Sequence, residues 1–368
     1  MKINDFKLER YFAIHEFTAK YLLSSSDCDG HDMNYILDLA TKEELKLWEN
    51  LKLGYTECEG HPLLRESILN HYKLKDIENV VVASPGELNF ITMNILLTPT
   101  DHVITVSPAY QSLFEVVNSI GSEISYWNPN QEDWKFDVTK LEKLVKDNTK
   151  LIILNFPHNP TGAYLTAKQQ KEIVAIARKH NITIFSDEMY HKLISDEAKE
   201  LQPISDIYEK GISLWGTSKS FGLAGLRTGW LVSQDKELLK KVVAFKDYLS
   251  ICTSGPSEIL TIIALNHSDS FIHPNIQKIN RNVSLFKSFA KEHDVFSSFI
   301  PPVAGSTAFI KLNIEGSTMD FSNKLVKDTG VMTIPEEMFN YKGNYLRIGF
   351  GRESFPKTLE VLSDYLKR

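Results

Sequence analysis

The chain has 368 residues, of which 42% are hydrophobic and 24% charged, so it is long enough to bury a substantial globular core. Its formal net charge of −6 argues against nucleic-acid binding through a basic face. Three separated cysteines argue against a disulfide framework, and no apolar run reaches membrane-spanning length, so we expect a cytoplasmic protein that binds no membrane.

The first predicted element is a long N-terminal helix. In the segment FKLERYFAIHEFTAKYLL, residues 6–23, large apolar side chains recur at three- and four-residue steps, as in a helix with one buried face. The polar stretch SSSDCDGHD, residues 24–32, is expected to end this helix.

From about residue 63, short apolar strands alternate with amphipathic helices. The predicted strands lie in NVVVAS, HVITVS, KLIILNF, ITIFSDE, GISLWG and GLRTGWLVS. Near-continuous apolar strands of this kind are typical of a sheet that is buried on both faces. The sequence therefore predicts an α/β fold with a mostly parallel sheet sandwiched by helices.

Beyond about residue 270 the pattern changes to a smaller α+β arrangement. A long predicted helix, 275–293, precedes strands in STAFIKL, GVMTIPEE and YLRIGFG and a final helix. We expect residues 45–265 to form a large domain. Residues 1–44 and 266–368 would together form a discontinuous small domain, with the N-terminal helix packed on the C-terminal part.

Ligands of an open parallel sheet bind at the carboxyl ends of its strands, and Lys219 follows one of the predicted strands. Its amine can condense with a carbonyl to form a Schiff base. For an isolated Ser-Lys pair, an ordinary surface lysine is the more common interpretation. Arg227, eight positions later, has the planar donors that suit a phosphate. Lys219, Arg227 and the residues that follow the other predicted strands are of types that can together hold a phosphorylated aromatic aldehyde.

Asp187 and Tyr190 lie at and just after the end of the strand ITIFSD. A carboxylate there can pair with a protonated pyridine nitrogen, although an N-cap of the following turn is an equally good interpretation. A helical turn would place Tyr190 on the same side as Asp187, where its hydroxyl could reach the phenolic oxygen of the ring.

Asn159 and Tyr110 are candidates for ring contacts. Asn159 lies in NFPHNPTG, whose two prolines and glycine impose a defined turn. It can donate to the phenolic oxygen and to a substrate carboxylate, but turn formation alone would also explain it. Tyr110 follows the strand HVITVS, and its ring either stacks on the pyridine or packs in the core.

Two further features can bind anions. Gly86 and Glu87 open a helix after VVVAS, and the free N–H groups of a helix start bind phosphate. Arg347 lies on the apolar strand YLRIGFG, where a buried arginine needs an anionic partner. A substrate carboxylate held bidentately and a structural salt bridge both meet that need.

Several common site patterns are missing from the sequence. The histidines form no HExxH or comparable metal motif, so we assign no metal. The stretch GLAGLRTG lacks the GxGxxG spacing of dinucleotide sites, and neither a GxxxxGK[ST] loop nor a GxSxG elbow occurs.

The motifs NFPHNPTG, SDEMY and TSKSFGLAGLRTGW occur in one order along the chain. Together with the glycine turn and the aromatic residue before them, they resemble fold-type I pyridoxal-phosphate-dependent aminotransferases of class I/II over roughly residues 55–352. The resemblance implies pyridoxal 5′-phosphate as cofactor, an amino acid and a 2-oxo acid as substrates, and a homodimer with shared active sites.

The resemblance also implies a role for each candidate residue. Lys219 would hold the cofactor and move protons, Asp187 would bind the ring nitrogen, and Tyr110 would stack on the ring. Asn159 and Tyr190 would bind the phenolic oxygen, and Arg347, with Asn159, the substrate carboxylate. The phosphate ligands would be Gly86, Glu87, Arg227, a hydroxyl from Thr217 or Ser218, and Tyr55 of the neighbouring subunit. Gly216 replaces a serine that many relatives have there.

The segments SPAYQSLFEVV and NFPHNPTG also resemble a branch of the family that includes capreomycidine synthase-like enzymes. Three functions therefore remain open: an aminotransferase, a lyase or cyclase acting on a modified amino acid, and a non-catalytic protein that kept the fold. The intact Lys219, Asp187, Asn159 and Arg347 argue against the third. No second arginine can be assigned to a dicarboxylate, so aspartate is not favoured as substrate.

Overall fold

The computed structural model describes residues 2–195, 198–296 and 298–367. Its strands are β1 (Tyr21–Leu22), β2 (Val80–Ala83), β3 (His102–Val106), β4 (Glu123–Trp127), β5 (Thr149–Asn155), β6 (Thr183–Asp187), β7 (Gly211–Gly216), β8 (Gly229–Ser233), β9 (Thr307–Lys311), β10 (Val331–Met332), β11 (Ile334–Pro335) and β12 (Tyr345–Gly349).

Fourteen α-helices connect these strands within the described residues. They are α1 (Lys7–His15), α2 (Met33–Leu39), α3 (Lys42–Glu49), α4 (Pro62–Leu69), α5 (Pro85–Leu96), α6 (Ser112–Ile120), α7 (Val138–Lys143), α8 (Ala167–Lys179), α9 (Ile204–Ile207), α10 (Lys236–Lys246), α11 (Gly255–Asn266), α12 (Ser268–Glu292), α13 (Thr318–Thr329) and α14 (Phe355–Leu366). No helix of this described part combines the length and hydrophobicity that a bilayer crossing requires.

The central sheet has seven strands in the order β2-β8-β7-β6-β5-β3-β4. Only β8 runs against its neighbours β7 and β2, and the other paired strands are parallel. The carboxyl ends of all strands except β8 therefore meet at one edge of the sheet. This arrangement confirms the predicted α/β fold with a mostly parallel sheet.

Both faces of the sheet are buried. Along β5, Leu151 and Ile153 belong to one hydrophobic cluster, whereas Ile152 and Leu154 belong to a second cluster on the opposite face. Since neighbouring residues of a strand point to opposite faces, this alternation requires an apolar residue at every position. It explains why the strands read as continuous apolar runs.

The N- and C-terminal parts of the chain pair with each other. β9, β11 and β12 form a three-stranded antiparallel sheet, and β1 pairs in parallel with β10. The helix α1 contacts the central part of the chain as well as the C-terminal part. The backbone N–H of Lys7 donates to the Gln111 side chain, and the Lys7 side chain donates to Asn340. The division into two domains at residues 45 and 265 stays a prediction.

The prediction of one helix over residues 6–23 is wrong beyond His15. The hydroxyl of Thr18 donates to the carbonyl oxygens of Ile14 and His15, and the chain then turns into β1. Phe17, one of the periodic apolar residues, is 91% exposed. The helical spacing of apolar residues continues from α1 into β1. The chain nevertheless leaves the helix, because Tyr21 and Leu22 pair with β10 instead.

Gly349 at the end of β12 is expected to accept no side chain. Its backbone N–H donates to the Leu23 carbonyl, and a Cβ there would overlap the Ser25 carbonyl oxygen. Gly349→Ala should lower the free energy of unfolding by about 1–3 kcal/mol, as overpacking does, in a denaturant titration. Gly54→Ala, where a Cβ meets open space, is the control. Equal stability of both variants and the parent protein would contradict this prediction.

Candidate active site

A cavity of about 450 Å³ lies at the carboxyl edge of the central sheet. It is bounded by residues that follow the strands, by β12, by α1 and by the polar segment 25–27. The predicted site residues that line it are Gly86, Tyr110, Asn159, Asp187, Tyr190, Ser218, Lys219, Arg227 and Arg347. The fold therefore brings together nine of the eleven residues singled out in the sequence.

Lys219 lies three residues beyond β7. Its Nζ donates to Ser26 Oγ at 2.8 Å. The neighbouring Ser218 lines the cavity, whereas the hydroxyl of Thr217 donates to the carbonyls of Leu223 and Thr228. Of the two residues left open by the sequence, only Ser218 lines the cavity. At Gly216 a Cβ would come within 2.9 Å of the Thr228 carbonyl oxygen, so the close approach of β8 favours glycine there.

Asp187 is buried at the end of β6. One carboxylate oxygen accepts from the backbone N–H of Met189 at 3.1 Å, so the N-cap-like interpretation is part of the observed geometry. Burial raises the pKa of the Asp187 carboxyl to about 6, and the Met189 N–H and the charge of Lys219 oppose the rise. A cation beside this carboxylate would lower its pKa and stabilise the ionised form.

Asn159 and Tyr190 both line the cavity. The Asn159 backbone N–H donates to the Asn155 side chain at 2.9 Å, and Asn155 in turn donates to the Asp187 carbonyl. The turn is thus tied to two strand ends. The hydroxyl of Tyr190 is buried and has no hydrogen-bond partner among the described residues. A buried hydroxyl of this kind calls for a ligand or a water.

Arg347 is only 1% exposed. Its guanidinium donates to Asn159 Oδ1 at 3.2 Å and to the Ser24 carbonyl at 2.9 Å, while Nε has no partner in the described part of the chain. None of the described salt bridges includes Arg347. The structural salt bridge considered from the sequence is therefore absent from the described residues, and the arginine is available to an anion.

Tyr110 and Arg227 also line the cavity. The Tyr110 hydroxyl donates to Glu9 at 2.8 Å, and burial and the charge of Glu9 raise its pKa. Arg227 has a left-handed backbone with φ of 54° and makes one weak bond, at 3.3 Å, to the Ala224 carbonyl. Most of its donors thus remain available.

Two predicted residues do not line the cavity. The Glu87 carboxylate accepts from the Ser250 hydroxyl at 2.7 Å, so only its backbone N–H, in the first turn of α5, can serve an anion in the cavity. Tyr55 is 88% exposed and lies outside the cavity of its own chain. An exposed position is what a residue that serves a neighbouring subunit would need.

The family profile of "Aminotransferase class I and II" matches residues 18–363. The chain belongs to this family. Similar proteins include capreomycidine synthase of Streptomyces vinaceus, 27% identical with 99% of this chain and 93% of that protein aligned. Aspartate aminotransferase of Sulfolobus acidocaldarius is 30% identical over 78% of this chain and 74% of that protein.

Solved structures support the same assignment. A PLP-dependent aminotransferase from Streptococcus suis 89-1591 superposes with a TM-score of 0.93 at 28% identity, covering 100% of this chain and 99% of that one. The aminotransferase family and this neighbour identify pyridoxal 5′-phosphate as the cofactor, and the chain is a pyridoxal-phosphate-dependent enzyme.

The residues of the cavity fit this cofactor. Lys219 offers an amine for its aldehyde, and Asp187 a buried carboxylate for its ring nitrogen. The unpartnered hydroxyl of Tyr190 is a donor for its phenolic oxygen, and Arg227 is a cation for its phosphate. A polar aromatic anion therefore satisfies groups that the protein itself leaves unpaired.

Sequence reasoning missed the side of the cavity formed by the N-terminal segment. Its lining side chains include Leu8, Glu9, Phe12, Glu16, Ser26 and Asp27. Nothing local marks these residues, since α1 reads as an ordinary amphipathic helix and SSSD as the end of one. Only the tertiary placement of this segment against β12 brings them to the sheet edge.

Proposed function

We propose that this aminotransferase family member transfers an amino group from an amino acid to a 2-oxo acid. The observation that carries the proposal is the convergence of Lys219, Asp187 and an unpaired Arg347 on one cavity. A nucleophilic amine, a carboxylate for the ring and an anchor for a carboxylate are the parts that this reaction needs.

Each side of the cavity would hold one part of the cofactor. Arg227, the Ser218 hydroxyl and the N–H groups at the start of α5, from Gly86 and Glu87, would bind its phosphate. Asp187 would hold the ring nitrogen protonated, and Tyr110 would stack on the ring. Asn159 and Tyr190 would donate to the phenolic oxygen. When bound in this way, pyridoxal phosphate supplies an electron sink for a carbanion at the substrate Cα.

The protein's own part in the reaction is orientation and proton transfer. Arg347 would hold the substrate carboxylate, with the Asn159 amide beside it, and so fix which Cα bond reacts. Lys219, with its amine free, would take the proton from the substrate Cα onto Nζ and later release it for reprotonation.

A spectral assay of the purified protein tests this proposal. The absorbance of bound cofactor is recorded before and after addition of single amino acids, and 2-oxo acid products are quantified. Conversion to the aminated cofactor by one amino acid, reversed by a 2-oxo acid, would support transamination. A protein that takes up no pyridoxal phosphate would overturn it.

A lyase or cyclase is the second candidate. The observation in its favour is the similarity to capreomycidine synthase over nearly the full length of both proteins. The same Lys219, Asp187 and Arg347 would support elimination or ring closure once the Cα proton has left. Product that forms without a 2-oxo acid acceptor, while the cofactor absorbance returns to its starting form, would select this candidate.

The acidic side of the cavity favours a substrate with a cationic side chain. Asp27 pairs with Arg352 at 3.0 Å and Glu9 accepts from Tyr110. Glu16 has neither a hydrogen-bond nor an ion-pair partner for its carboxylate among the described residues, and burial, followed by the charges of Asp27 and Glu9, raises its pKa. An ammonium or guanidinium group would neutralise this cluster, so we propose ornithine-, lysine- or arginine-like amino acids.

Glu16→Gln is expected to reduce kcat/KM for L-arginine or L-ornithine about fivefold. The kcat/KM for a neutral amino acid should stay unchanged. The size reflects roughly 1 kcal/mol for a partly exposed ion pair. Parallel assays with both substrate types measure the selectivity, with the exposed Glu43→Gln as control. An equal effect on cationic and neutral amino acids would contradict the proposed contact.

The oligomer and the compartment are part of the same proposal. We propose a cytoplasmic homodimer in which Tyr55 reaches the phosphate site of the neighbouring subunit. Leu53, Tyr55 and Tyr248 are large side chains at least 88% exposed in the single chain, which supports a surface covered by a second copy. Sedimentation analysis of the protein with bound cofactor would reveal a monomer if this is wrong.

A further inference from the structure

We infer that Ser26 is a further catalytic residue, the partner that holds the Lys219 amine while it carries the substrate proton. This inference rests on the proposed function of Lys219. It starts from the contact of 2.8 Å in which Lys219 Nζ donates to Ser26 Oγ. Within the described residues this hydroxyl is the one side-chain partner of Lys219.

The segment that carries Ser26 is fixed by its backbone. The Ser26 carbonyl accepts from the buried Ser306 hydroxyl at 2.6 Å, and the Leu23 carbonyl accepts from the Gly349 N–H at 2.8 Å. Between them, the Ser24 carbonyl accepts from Arg347 at 2.9 Å. None of these bonds uses the Ser26 hydroxyl. The segment thus positions that hydroxyl, while the hydroxyl itself does not hold the segment in place.

One short stretch therefore connects the two groups that act on the substrate. Ser24 contacts Arg347, the proposed carboxylate anchor, and Ser26 contacts Lys219, the proposed base. Because only Ser25 separates these two contact residues, the anchor and the base are held in a fixed relation. A proton-transfer distance is sensitive to small displacements, so a rigid link of this kind favours the reaction.

The chemical step shows what the hydroxyl contributes. The C–H bond at the substrate Cα would break, its electron pair would stay on the substrate with pyridoxal phosphate as the electron sink, and a new N–H bond would form on Lys219. The neutral amine thereby becomes an ammonium with three donors. Ser26 Oγ accepts one of them in a charge-assisted hydrogen bond, which stabilises the product of the proton transfer and aims the other N–H groups.

Other ionisable groups also face Lys219, and they stay in place in every variant proposed below. The charged and titratable side chains that line the same cavity are Glu9, Glu16, Asp27, Tyr110, Asp187, Tyr190, Arg227 and Arg347. The charge of Lys219 acts to lower the pKa of both the Asp187 and the Glu16 carboxyl. Differences between variants at position 26 therefore report the hydroxyl alone.

The first test needs no substrate. Cofactor-free protein is mixed with pyridoxal phosphate, and the rate of covalent incorporation, trapped by borohydride, is measured against pH. In Ser26→Ala the pH at which the rate is half-maximal should fall, since the ammonium has lost an acceptor. Ser26→Thr keeps the hydroxyl and should behave like the parent protein. An unchanged half-maximal pH in Ser26→Ala would overturn the inference.

The second test measures proton transfer directly. Exchange of the Cα proton of L-arginine or L-ornithine with deuterated water is followed by NMR in the cofactor-loaded enzyme. Ser26→Ala should slow exchange at saturation about tenfold or more and leave the half-saturating concentration within about twofold, because Arg347 still binds the carboxylate. Ser26→Thr should restore most of the rate.

A third variant separates the hydroxyl from the segment that carries it. Ser306→Ala removes the bond to the Ser26 carbonyl and leaves the Ser26 hydroxyl intact. It should raise the half-saturating concentration as well as slow exchange, because the segment that contacts both Arg347 and Lys219 then loses one of its anchors. If Ser306→Ala and Ser26→Ala give the same profile, Ser26 is structural and the inference fails. The proposed substrate class would be wrong if no amino acid exchanged its Cα proton in any variant. If covalent incorporation of pyridoxal phosphate still showed the expected pH shift, the inferred role of the Ser26 hydroxyl would be retained.

Discussion

Replacing Lys219 with alanine is expected to remove both the covalent attachment of pyridoxal phosphate and nearly all turnover. The amine is the proposed nucleophile for the cofactor aldehyde and the proposed base for the Cα proton, so one substitution should delete two functions. Loss of a positioned acid–base group alone costs about 10²–10⁴-fold in rate. Borohydride reduction followed by peptide mass analysis measures the attachment, and 2-oxo acid formation measures turnover.

Lys219→Arg separates the chemistry of the amine from its charge. The guanidinium keeps a positive charge beside Asp187 and a donor for Ser26, but it cannot form a Schiff base. It should therefore retain non-covalent cofactor binding and lose activity as completely as Lys219→Ala. The exposed Lys240→Arg serves as control. Borohydride-stable cofactor attached to another lysine in Lys219→Ala would show that the assignment is wrong.

The central sheet was predictable because it is buried on both faces. Six of the seven strands read as mainly apolar runs, and glycines and prolines between the runs mark where strands end. The edge strand β4, EISYW, is mixed in polarity and buried only at Trp127, and it was not predicted. Parallel strands then place their carboxyl ends at one edge, so Lys219, Asp187 and Asn159 could be grouped although 60 residues separate the first from the last. Position at a strand end, more than residue type, identified them.

The acidic side of the site was not predictable for the opposite reason. Glu9 and Glu16 lie on or just after α1, whose apolar spacing continued past its true end at His15. Ser26 lies in a polar stretch with the composition of an ordinary loop. These residues reach the cavity only because β1 pairs with β10 and the Ser25 backbone packs on Gly349. Contacts between residues some 320 positions apart leave no local pattern in a sequence.

Arg347 combines both situations. Its place on an apolar strand predicted that the guanidinium would need an anionic partner. The local sequence could not show whether that partner is a substrate carboxylate or a carboxylate of the protein. The structure leaves it buried, with two neutral acceptors, an unpaired Nε and the Phe339 ring 5.4 Å away, and without a carboxylate among the described residues. A protein that keeps such a charge without a permanent partner gives up stability unless a ligand supplies the anion.

Arg347→Met is expected to lower kcat/KM by about 10²-fold or more without destabilising the cofactor-free protein. Truncating one partner of a buried, hydrogen-bonded charge pair costs roughly 2–5 kcal/mol, and here the proposed partner is the substrate carboxylate. In the absence of substrate the guanidinium is a buried charge with no anion, so an apolar side chain of similar length should change the free energy of unfolding by less than about 1 kcal/mol. Steady-state kinetics and denaturant titrations measure the two quantities separately.

Arg347→Lys tests geometry at constant charge. The ammonium cannot donate two parallel hydrogen bonds to one carboxylate, so most of the loss in kcat/KM should remain, mainly as a higher KM. The exposed Arg281→Lys should change neither quantity. A structural role for Arg347 predicts the reverse result, a marked fall in stability with Arg347→Met and little change in KM with Arg347→Lys. The two roles are therefore separable, because a substrate anchor acts only when substrate is present.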